Sequence, residues 1–247
     1  MGEKDFKDIP YPNISIMEHK LFTDEKGRIY RKTPEGYERL SIFTDHYYSL
    51  RSVDGIPMLE IDGVRMHLIK HFKTPKEYAE TICKELKIKG NHKVLDTCGG
   101  LGYTAIEASK KAKKVVSIEK NKEVLDLGKQ SPHSKEYFQS KKIEIINGDS
   151  GEIVKELNSN EFDRVIHDPP RLNFAPYLYS KEFYSEIYRI LKPNGLFYHY
   201  VGFVGRGKGI KIEENVERRL KEVGFKIIKY YEKCYGWIVK KVDSSQK

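Results

Sequence analysis

Cysteine is scarce in this chain of 247 residues: Cys83, Cys98 and Cys234 stand far apart and form no Cys-x-x-Cys pair. A disulfide framework or a zinc site is therefore not expected, no metal is assigned, and a reducing cytoplasmic setting is the simple reading. No run of about 18 apolar residues is present, which excludes a helical membrane span. The first residues, Met1 to Asp8, lack a basic start followed by an apolar run, so no secretory leader is expected. Repeats and low-complexity tracts are absent as well. Acidic residues are in deficit, since 45 Lys and Arg against 36 Asp and Glu leave a net charge of +9. Such a surplus points to an anionic partner, with nucleic acid first, although a lysine-rich surface also serves solubility alone.

What is present is a glycine corner. Val94-Leu95-Asp96 reads as a short strand, Gly99, Gly100 and Gly102 as a turn, and Tyr103-Thr104-Ala105-Ile106-Glu107 as the start of a helix. A strand that turns through glycines into a helix gathers backbone N–H groups and the positive end of a helix dipole at one point, which suits a polar or anionic ligand.

Around this corner the elements fall in two blocks. Residues 1–72 read as β structure, with turns at Asp24-Glu25-Lys26-Gly27, Pro34-Glu35-Gly36 and Asp62-Gly63, the last joining a hairpin of 56–61 and 64–69. This N-terminal β module is expected to cap the main sheet or to contact a second copy in a homodimer; the sharper alternative is one wall of a substrate cleft. Thr74-Pro75-Lys76-Glu77 is a helix start with a capping threonine, a first-position proline and a capping-box glutamate. From 93 onward the chain alternates strands at 93–97, 115–118, 143–146, 162–167 and 195–201 with helices at 103–111, 121–129, 150–157 and 181–191. That alternation predicts an α/β domain, residues 73–247, built on a parallel sheet covered on both faces. A helix at 213–222 and two β-rich runs, 225–231 and 235–242, complete the chain, the last two as an antiparallel hairpin.

In an open parallel sheet the ligand lies beyond the carboxyl ends of the strands. Those ends carry Asp96, Glu119, Asp149 and Asp168. Gly100-Leu101-Gly102-Tyr103-Thr104-Ala105 matches the Gly-x-Gly-x-x-Gly/Ala dinucleotide fingerprint, with Glu119 beyond it where a ribose-binding acid is expected. Two features point away from a dinucleotide. Asp96 would repel a pyrophosphate yet welcome an ammonium or a sulfonium, and the antiparallel hairpin is foreign to that architecture.

Asp96-Thr97-Cys98-Gly99-Gly100-Leu101-Gly102, Glu119, Gly148-Asp149-Ser150 and Asp168-Pro169-Pro170-Arg171, in that order, resemble the motifs of class I S-adenosylmethionine-dependent methyltransferases. The whole chain is also similar to a group of predicted archaeal methyltransferases. The resemblance covers roughly residues 74–242 and implies a Rossmann-like seven-stranded sheet with an antiparallel last strand. It further implies S-adenosyl-L-methionine as cofactor: Gly99, Gly100 and Gly102 with Tyr103 and Thr104 at the methionine part, Asp96 facing the amino group, Glu119 on the ribose, and Asp149 with Lys120 and Ser150 at the adenine. Asp168, Pro169 and Pro170 resemble the catalytic Asp/Asn-Pro-Pro-aromatic stretch of enzymes that methylate amine nitrogens, with Arg171 standing in the aromatic position. Arg171, Tyr177, Tyr179, Arg206 and Lys208 are candidate substrate-binding residues, and RNA (tRNA or rRNA) is the expected acceptor. The hairpin at 59–64 resembles the N-terminal module of spermidine synthases, so aminopropyl transfer to a polyamine is the alternative. A non-catalytic RNA-associated module that only binds cofactor is a third reading. His167 and His199 read as structural.

Overall fold

A computed structural model describes residues 21–67, 70–202 and 212–243. Its centre is a seven-stranded sheet made of β8 (Lys93–Asp96), β9 (Lys114–Glu119), β10 (Ile143–Asn147), β11 (Phe162–His167), β12 (Leu191–Tyr200), β13 (Phe225–Tyr231) and β14 (Gly236–Lys241). The spatial order is β10-β9-β8-β11-β12-β14-β13. The first five strands pair in parallel, whereas β14 runs antiparallel to both β12 and β13. The order reverses direction at β8, so β8 and β11 flank the crevice in which an α/β sheet takes its ligand.

Each central strand is apolar on both faces because each face meets helices. Val94, Val115, Ile166, Tyr198 and Ile238 point to one side, where α1 (Pro75–Glu85), α2 (Tyr103–Lys111) and α4 (Lys135–Gln139) supply Tyr78, Ile82, Cys83, Ala105, Ala108 and Tyr137. Their chain neighbours Leu95, Val116, Val165, Phe197 and Val239 point to the other. There α5 (Ser150–Glu156), α6 (Lys181–Ile190) and α7 (Ile212–Val223) supply Val154, Phe183, Ile187, Val216 and Leu220. Burying one such side chain stabilises the fold by roughly 2 kcal/mol.

The helix start at Thr74 is made as the sequence implies. The Thr74 hydroxyl accepts from the Glu77 amide at 3.0 Å, while the Glu77 carboxylate reaches one residue further back, to the amide of Lys73, at 2.9 Å. The segment before it forms two small antiparallel sheets. One contains β1 (Leu21–Thr23), β2 (Ile29–Thr33) and β3 (Gly36–Arg39); the other contains β4 (Ser41–Phe43), β5 (Tyr47–Val53), β6 (Ile56–Ile61) and β7 (Val64–Arg65). They dock through Leu21, Ile29, Leu50 and Leu59 onto Ala79 of α1, Tyr103 of α2, and Val124 and Leu127 of α3 (Lys122–Lys129). This docking places Leu59, Ile61, Met66 and His67 beside the strand-end residues Gly99, Glu119 and Asp168, so the module forms a wall of the crevice, the sharper of the roles expected for it. Sequence periodicity also missed α4 and the 3-10 turn at Pro132–Ser134 before it, because five residues are too short to show a helical stripe.

Candidate functional site

The crevice has two adjoining lobes. The first, of about 120 Å³, is bounded by Gly99, Gly100, Thr104, Tyr78, Asp168, Pro169 and Pro170 on the sheet side and by Leu59, Met66 and His67 of the N-terminal module. The second, of about 240 Å³, is bounded by Thr97, Lys120, Ser150, Phe174 and Tyr177, with Asp45, His46 and Tyr48 opposite. Ile61, Met66, Cys98, Glu119, Asn121 and Pro170 belong to both.

The glycine corner is held internally. The Gly99 amide donates to the Ile118 carbonyl, that of Gly100 to the Glu119 carboxylate, and that of Gly102 to the Gly99 carbonyl, each at 2.8 Å. The expected cluster of open N–H donors for an anion is thus already spent at these three positions. The glycines also divide their work. A Cβ on Gly99 would meet the Tyr137 hydroxyl at 2.3 Å, and one on Gly102 would meet the Tyr137 ring at 2.3 Å, so both make room for a buried tyrosine. Gly100, at φ +53°, alone faces space with nothing within 4 Å. The expectation that Gly102 lets the backbone approach a ligand is corrected accordingly.

Asp96 is fully buried behind this corner. Its Oδ2 accepts from the Thr104 hydroxyl at 2.8 Å and from the Ser117 hydroxyl at 3.3 Å, and Oδ1 has no hydrogen-bond partner among the described residues. Burial pushes its carboxyl up to about 6 against those hydrogen bonds. Glu119, at the end of β9, accepts from the Gly100 amide on one oxygen and from the Asn121 amide on the other, both at 2.8 Å. Each oxygen keeps a second acceptor direction, so the carboxylate is oriented and still able to take two hydroxyls.

Asp149 does not line the crevice. It caps α5 through the Gly151 amide at 2.8 Å, and its other oxygen accepts from the Tyr177 hydroxyl at 2.7 Å and from Lys120 at 2.9 Å. Burial opposes its ionisation, but the hydrogen bonds from Lys120 and Tyr177 hold its carboxyl below the ordinary value. Tyr177 therefore lies in the second lobe, between Asp149 and the cavity. Its ring rests on Gly151, where a Cβ would meet it at 2.9 Å. Ser150 lines the same lobe while its hydroxyl donates to the Thr97 carbonyl.

Asp168 follows β11 and borders the first lobe together with Tyr78. Burial pushes its carboxyl up to about 7; the nearby Tyr78 hydroxyl works in the opposite direction, and the charge of Asp96 adds to the rise. Tyr179 is fully buried, and its hydroxyl donates to the Pro170 carbonyl at 2.9 Å. It fixes the Pro-Pro segment from beneath, which removes it from the candidates for direct contact. Arg171 is exposed and borders neither lobe. Its carbonyl accepts from the Phe174 amide at 2.8 Å, a turn that swings Phe174 into the second lobe. Arg206 and Lys208 lie outside the described residues. Tyr78, Phe174 and the module residues Asp45, His46, Tyr48 and His67 were not singled out in the sequence. The first stands on an amphipathic helix that reads as core, and the others depend on where the module docks. Burial pushes the His67 imidazole down to about 4, so it is neutral. No group of three or more potential metal ligands occurs among the described residues, and no helix is long and apolar enough to cross a membrane.

A reversed strand inside a seven-stranded sheet, a glycine corner backed by an acid, a second acid ending the next strand and Asp-Pro-Pro after β11 together define a Rossmann-like transferase of the kind that uses an S-adenosyl nucleoside. The chain belongs to the spermine/spermidine synthase domain family, whose model matches residues 75–241. It is 42% identical over 243 residues to protein MJ1233 of Methanocaldococcus jannaschii, covering 97% of this chain and 82% of that one. A crystal structure of spermidine synthase in complex with the transition-state analogue AdoDATO superposes with a TM-score of 0.66 at 22% identity, covering 81% of this chain and 71% of the other. An S-adenosylmethionine-dependent methyltransferase from Aquifex aeolicus shares the fold at a TM-score of 0.52 and 18% identity, over 68% and 99% of the two chains.

The residues fit such a cofactor. The open face of Gly100 leaves a cradle that a Cβ would fill, the Oδ1 atom of Asp96 is an unmet buried acceptor, and Glu119 offers two oriented oxygens beside a lobe with aromatic walls.

Proposed function

We propose that the protein transfers an alkyl group from an S-adenosyl sulfonium to an amine nitrogen, with Asp168 receiving the amine's proton. The observation that carries this reading is the position of Asp168: an acid of near-neutral proton affinity on the wall of the lobe that adjoins Gly100 and Glu119. A general base works best with a pKa close to the working pH. The bound cofactor supplies the electrophilic carbon. Glu119 and Gly100 would fix its nucleoside and tail, Pro169 and Pro170 hold the backbone at the acceptor position, and the apolar side chains Leu59, Ile61 and Met66 exclude water from the reacting pair.

The transferred group we favour is methyl and the acceptor an amine of RNA. Among the described residues Asp168 and Glu119 are the only acids lining the first lobe, and with Glu119 given to the cofactor's ribose hydroxyls a polyamine with several ammonium groups would find one carboxylate, Asp168. The net charge of +9 also favours an anionic acceptor over a polycation.

One observation favours a second reading, aminopropyl transfer. Among the described residues no lysine or arginine borders the first lobe to meet a carboxylate on the cofactor's tail, and the family contains the polyamine synthases. Incubating the protein with labelled S-adenosylmethionine, or with its labelled decarboxylated form, in the presence of RNA fractions, putrescine and spermidine separates the two. Label entering RNA from S-adenosylmethionine supports the first reading, and label entering a polyamine from the decarboxylated donor supports the second. Label entering neither, with Asp168→Asn indistinguishable from the parent, overturns both.

A further inference from the structure

The imidazole of His67 borders the first lobe from the N-terminal module. Its Nδ1 accepts from the Leu59 amide at 3.3 Å, and the Met66 amide donates to the Leu59 carbonyl at 2.9 Å, so the ring lies against the end of the β6–β7 ladder. It also stands edge-on to Tyr103, with ring centres 5.6 Å apart and planes at 79°. A backbone N–H can only donate, so Nδ1 carries no hydrogen, and in a neutral imidazole the hydrogen then sits on Nε2. Burial and the charge of Arg65 keep the ring neutral. Nε2 has no partner among the described residues and is not enclosed, so its hydrogen is offered to the lobe that the ring borders.

The hydroxyl donors around this lobe are already committed. Thr104 gives its hydrogen to Asp96 and Tyr103 gives its own to the Pro57 carbonyl, each at 2.8 Å. The Tyr198 hydroxyl donates to the Cys234 carbonyl, so of the Tyr78 and Tyr198 hydroxyls, 3.0 Å apart, Tyr78 must donate to Tyr198. Setting aside the acids, the uncommitted side-chain donors are His67 Nε2, the Asn121 amide and the Cys98 thiol, which is a weak donor. Asn121 stands beside Glu119, at the nucleoside end, where its backbone amide donates to that carboxylate. His67 stands instead on Tyr103, the neighbour of the Thr104 that holds Asp96.

We propose that His67 determines which S-adenosyl donor the site accepts, its Nε2–H receiving the carboxylate of an S-adenosylmethionine tail. The inference rests on the methyl-transfer reading above and names how that site selects its cofactor. Such a tail carries an ammonium and a carboxylate. The unmet Oδ1 of Asp96 suits the first, and His67 supplies the donor that the second needs. A neutral donor fits the place. A lysine or arginine would set a cation beside a sulfonium and an amine acceptor, whereas an imidazole N–H holds a carboxylate without repelling either. A decarboxylated tail leaves the Nε2–H unpaired, and a site built to pair a polar group rejects a ligand lacking its partner more strongly than one lacking a methylene.

The test is calorimetry on the full chain with S-adenosylhomocysteine, its decarboxylated analogue and 5′-methylthioadenosine, which lacks the tail. The parent should bind S-adenosylhomocysteine at least about tenfold more tightly than the decarboxylated analogue, the size of a hydrogen bond to a charged group. His67→Asn keeps an oxygen for the Leu59 amide and removes the donor to the lobe. It should lose about tenfold in affinity for S-adenosylhomocysteine and leave the other two ligands unchanged. His67→Gln, whose amide nitrogen reaches the place of Nε2, should recover most of that loss. Nitrogen-15 NMR of labelled histidines, with His67 assigned by its loss in His67→Gln, should show Nε2 protonated and Nδ1 bare at pH 7. The signal should move with S-adenosylhomocysteine and stay with 5′-methylthioadenosine. A loss shared equally by all ligands, a protonated Nδ1, or a parent that binds the decarboxylated analogue as tightly would overturn the proposal. Should His67→Asn fail to fold, the NMR decides: a His67 signal unmoved by S-adenosylhomocysteine is equally fatal. A chain that shows the carboxylate preference yet transfers no methyl group would sink the proposed function and leave the role of His67 standing.

Discussion

The imidazole Nδ1 of His167 and the hydroxyl of Thr97 are 2.6 Å apart, joining the ends of β11 and β8 directly behind the second lobe. The other ring nitrogen, Nε2, lies 3.1 Å from the Leu178 carbonyl, so it carries the hydrogen and Nδ1 accepts from Thr97. Burial pushes this imidazole down to about 3. Thr97 and Leu178 both border the lobe, which makes His167 a brace for its wall, one residue before Asp168.

Replacing that brace should be costly. We expect His167→Phe to lose about 2 kcal/mol in chemical denaturation at pH 7, because the Leu178 carbonyl is left unpaired in the core and the Thr97 hydroxyl falls back on its longer bond to the Ile166 carbonyl at 3.3 Å. Affinity for S-adenosylhomocysteine by calorimetry should drop about tenfold. The pH dependence has a definite sign. The unfolded chain takes a proton on His167 below its ordinary value, whereas the folded chain does so only near 3, so this residue costs stability as pH falls from about 6.5. The deficit of His167→Phe relative to the parent should therefore shrink on acidification.

The three glycines of the corner should separate in one experiment. Gly99→Ala and Gly102→Ala should each destabilise by more than about 2 kcal/mol, since Tyr137 cannot move without emptying its place in the core. Adding Tyr137→Phe should rescue part of the first, where the clash is with the hydroxyl, and none of the second, where it is with the ring. Gly100→Ala should cost only about 1 kcal/mol for its positive φ, yet weaken S-adenosylhomocysteine binding most. Thermal unfolding and calorimetry on the same samples would check this.

Asp168 should reveal its burial through stability. Its folded proton affinity lies above the unfolded value of 3.8, so the cost of holding it ionised is absent below about pH 4 and complete above about pH 7. Asp168→Asn is thus expected to be no more stable than the parent at pH 4 and more stable at pH 8. The gain is on the order of 2 kcal/mol, allowing for solvent at the cleft wall. The same variant should lose at least about a hundredfold in kcat.

Glu119→Gln should remove an acceptor from a position that now takes two backbone amides. One of the Gly100 and Asn121 N–H groups would face the new amide nitrogen, which cannot accept. We expect roughly 2 kcal/mol less stability and about a hundredfold weaker S-adenosylhomocysteine binding, both measurable without an assay of turnover.

Much of this architecture was readable from residue order. The strands from Lys93 onward alternate with helices, and continuous apolar runs such as Val115-Val116 mark a sheet covered on both faces, so the positions of Asp96, Glu119 and Asp168 at strand ends followed directly. What escaped was set by contacts between distant segments. Nothing local distinguishes Gly100 from Gly102; the difference is Tyr137, on a helix of five residues that has no periodicity to read. Tyr177 and Tyr179 look alike at a spacing of two, yet one rests on Gly151 at the lobe and the other is buried under Pro170. Where Arg171 borders neither lobe, Phe174 three residues later borders the second, brought there by a turn in which the Arg171 carbonyl accepts from the Phe174 and Ala175 amides.

The place of β14 bears on how the enzyme is assembled. It follows all six of its sheet-mates in the chain but lies between β12 and β13, and Cys234, whose carbonyl accepts from the Tyr198 hydroxyl, precedes it closely. A nascent chain that has released everything up to β13 has β12 and β13 with no shared edge and a Tyr198 hydroxyl without its Cys234 carbonyl acceptor. The sheet therefore closes only when β14 inserts between two strands that precede it in the chain.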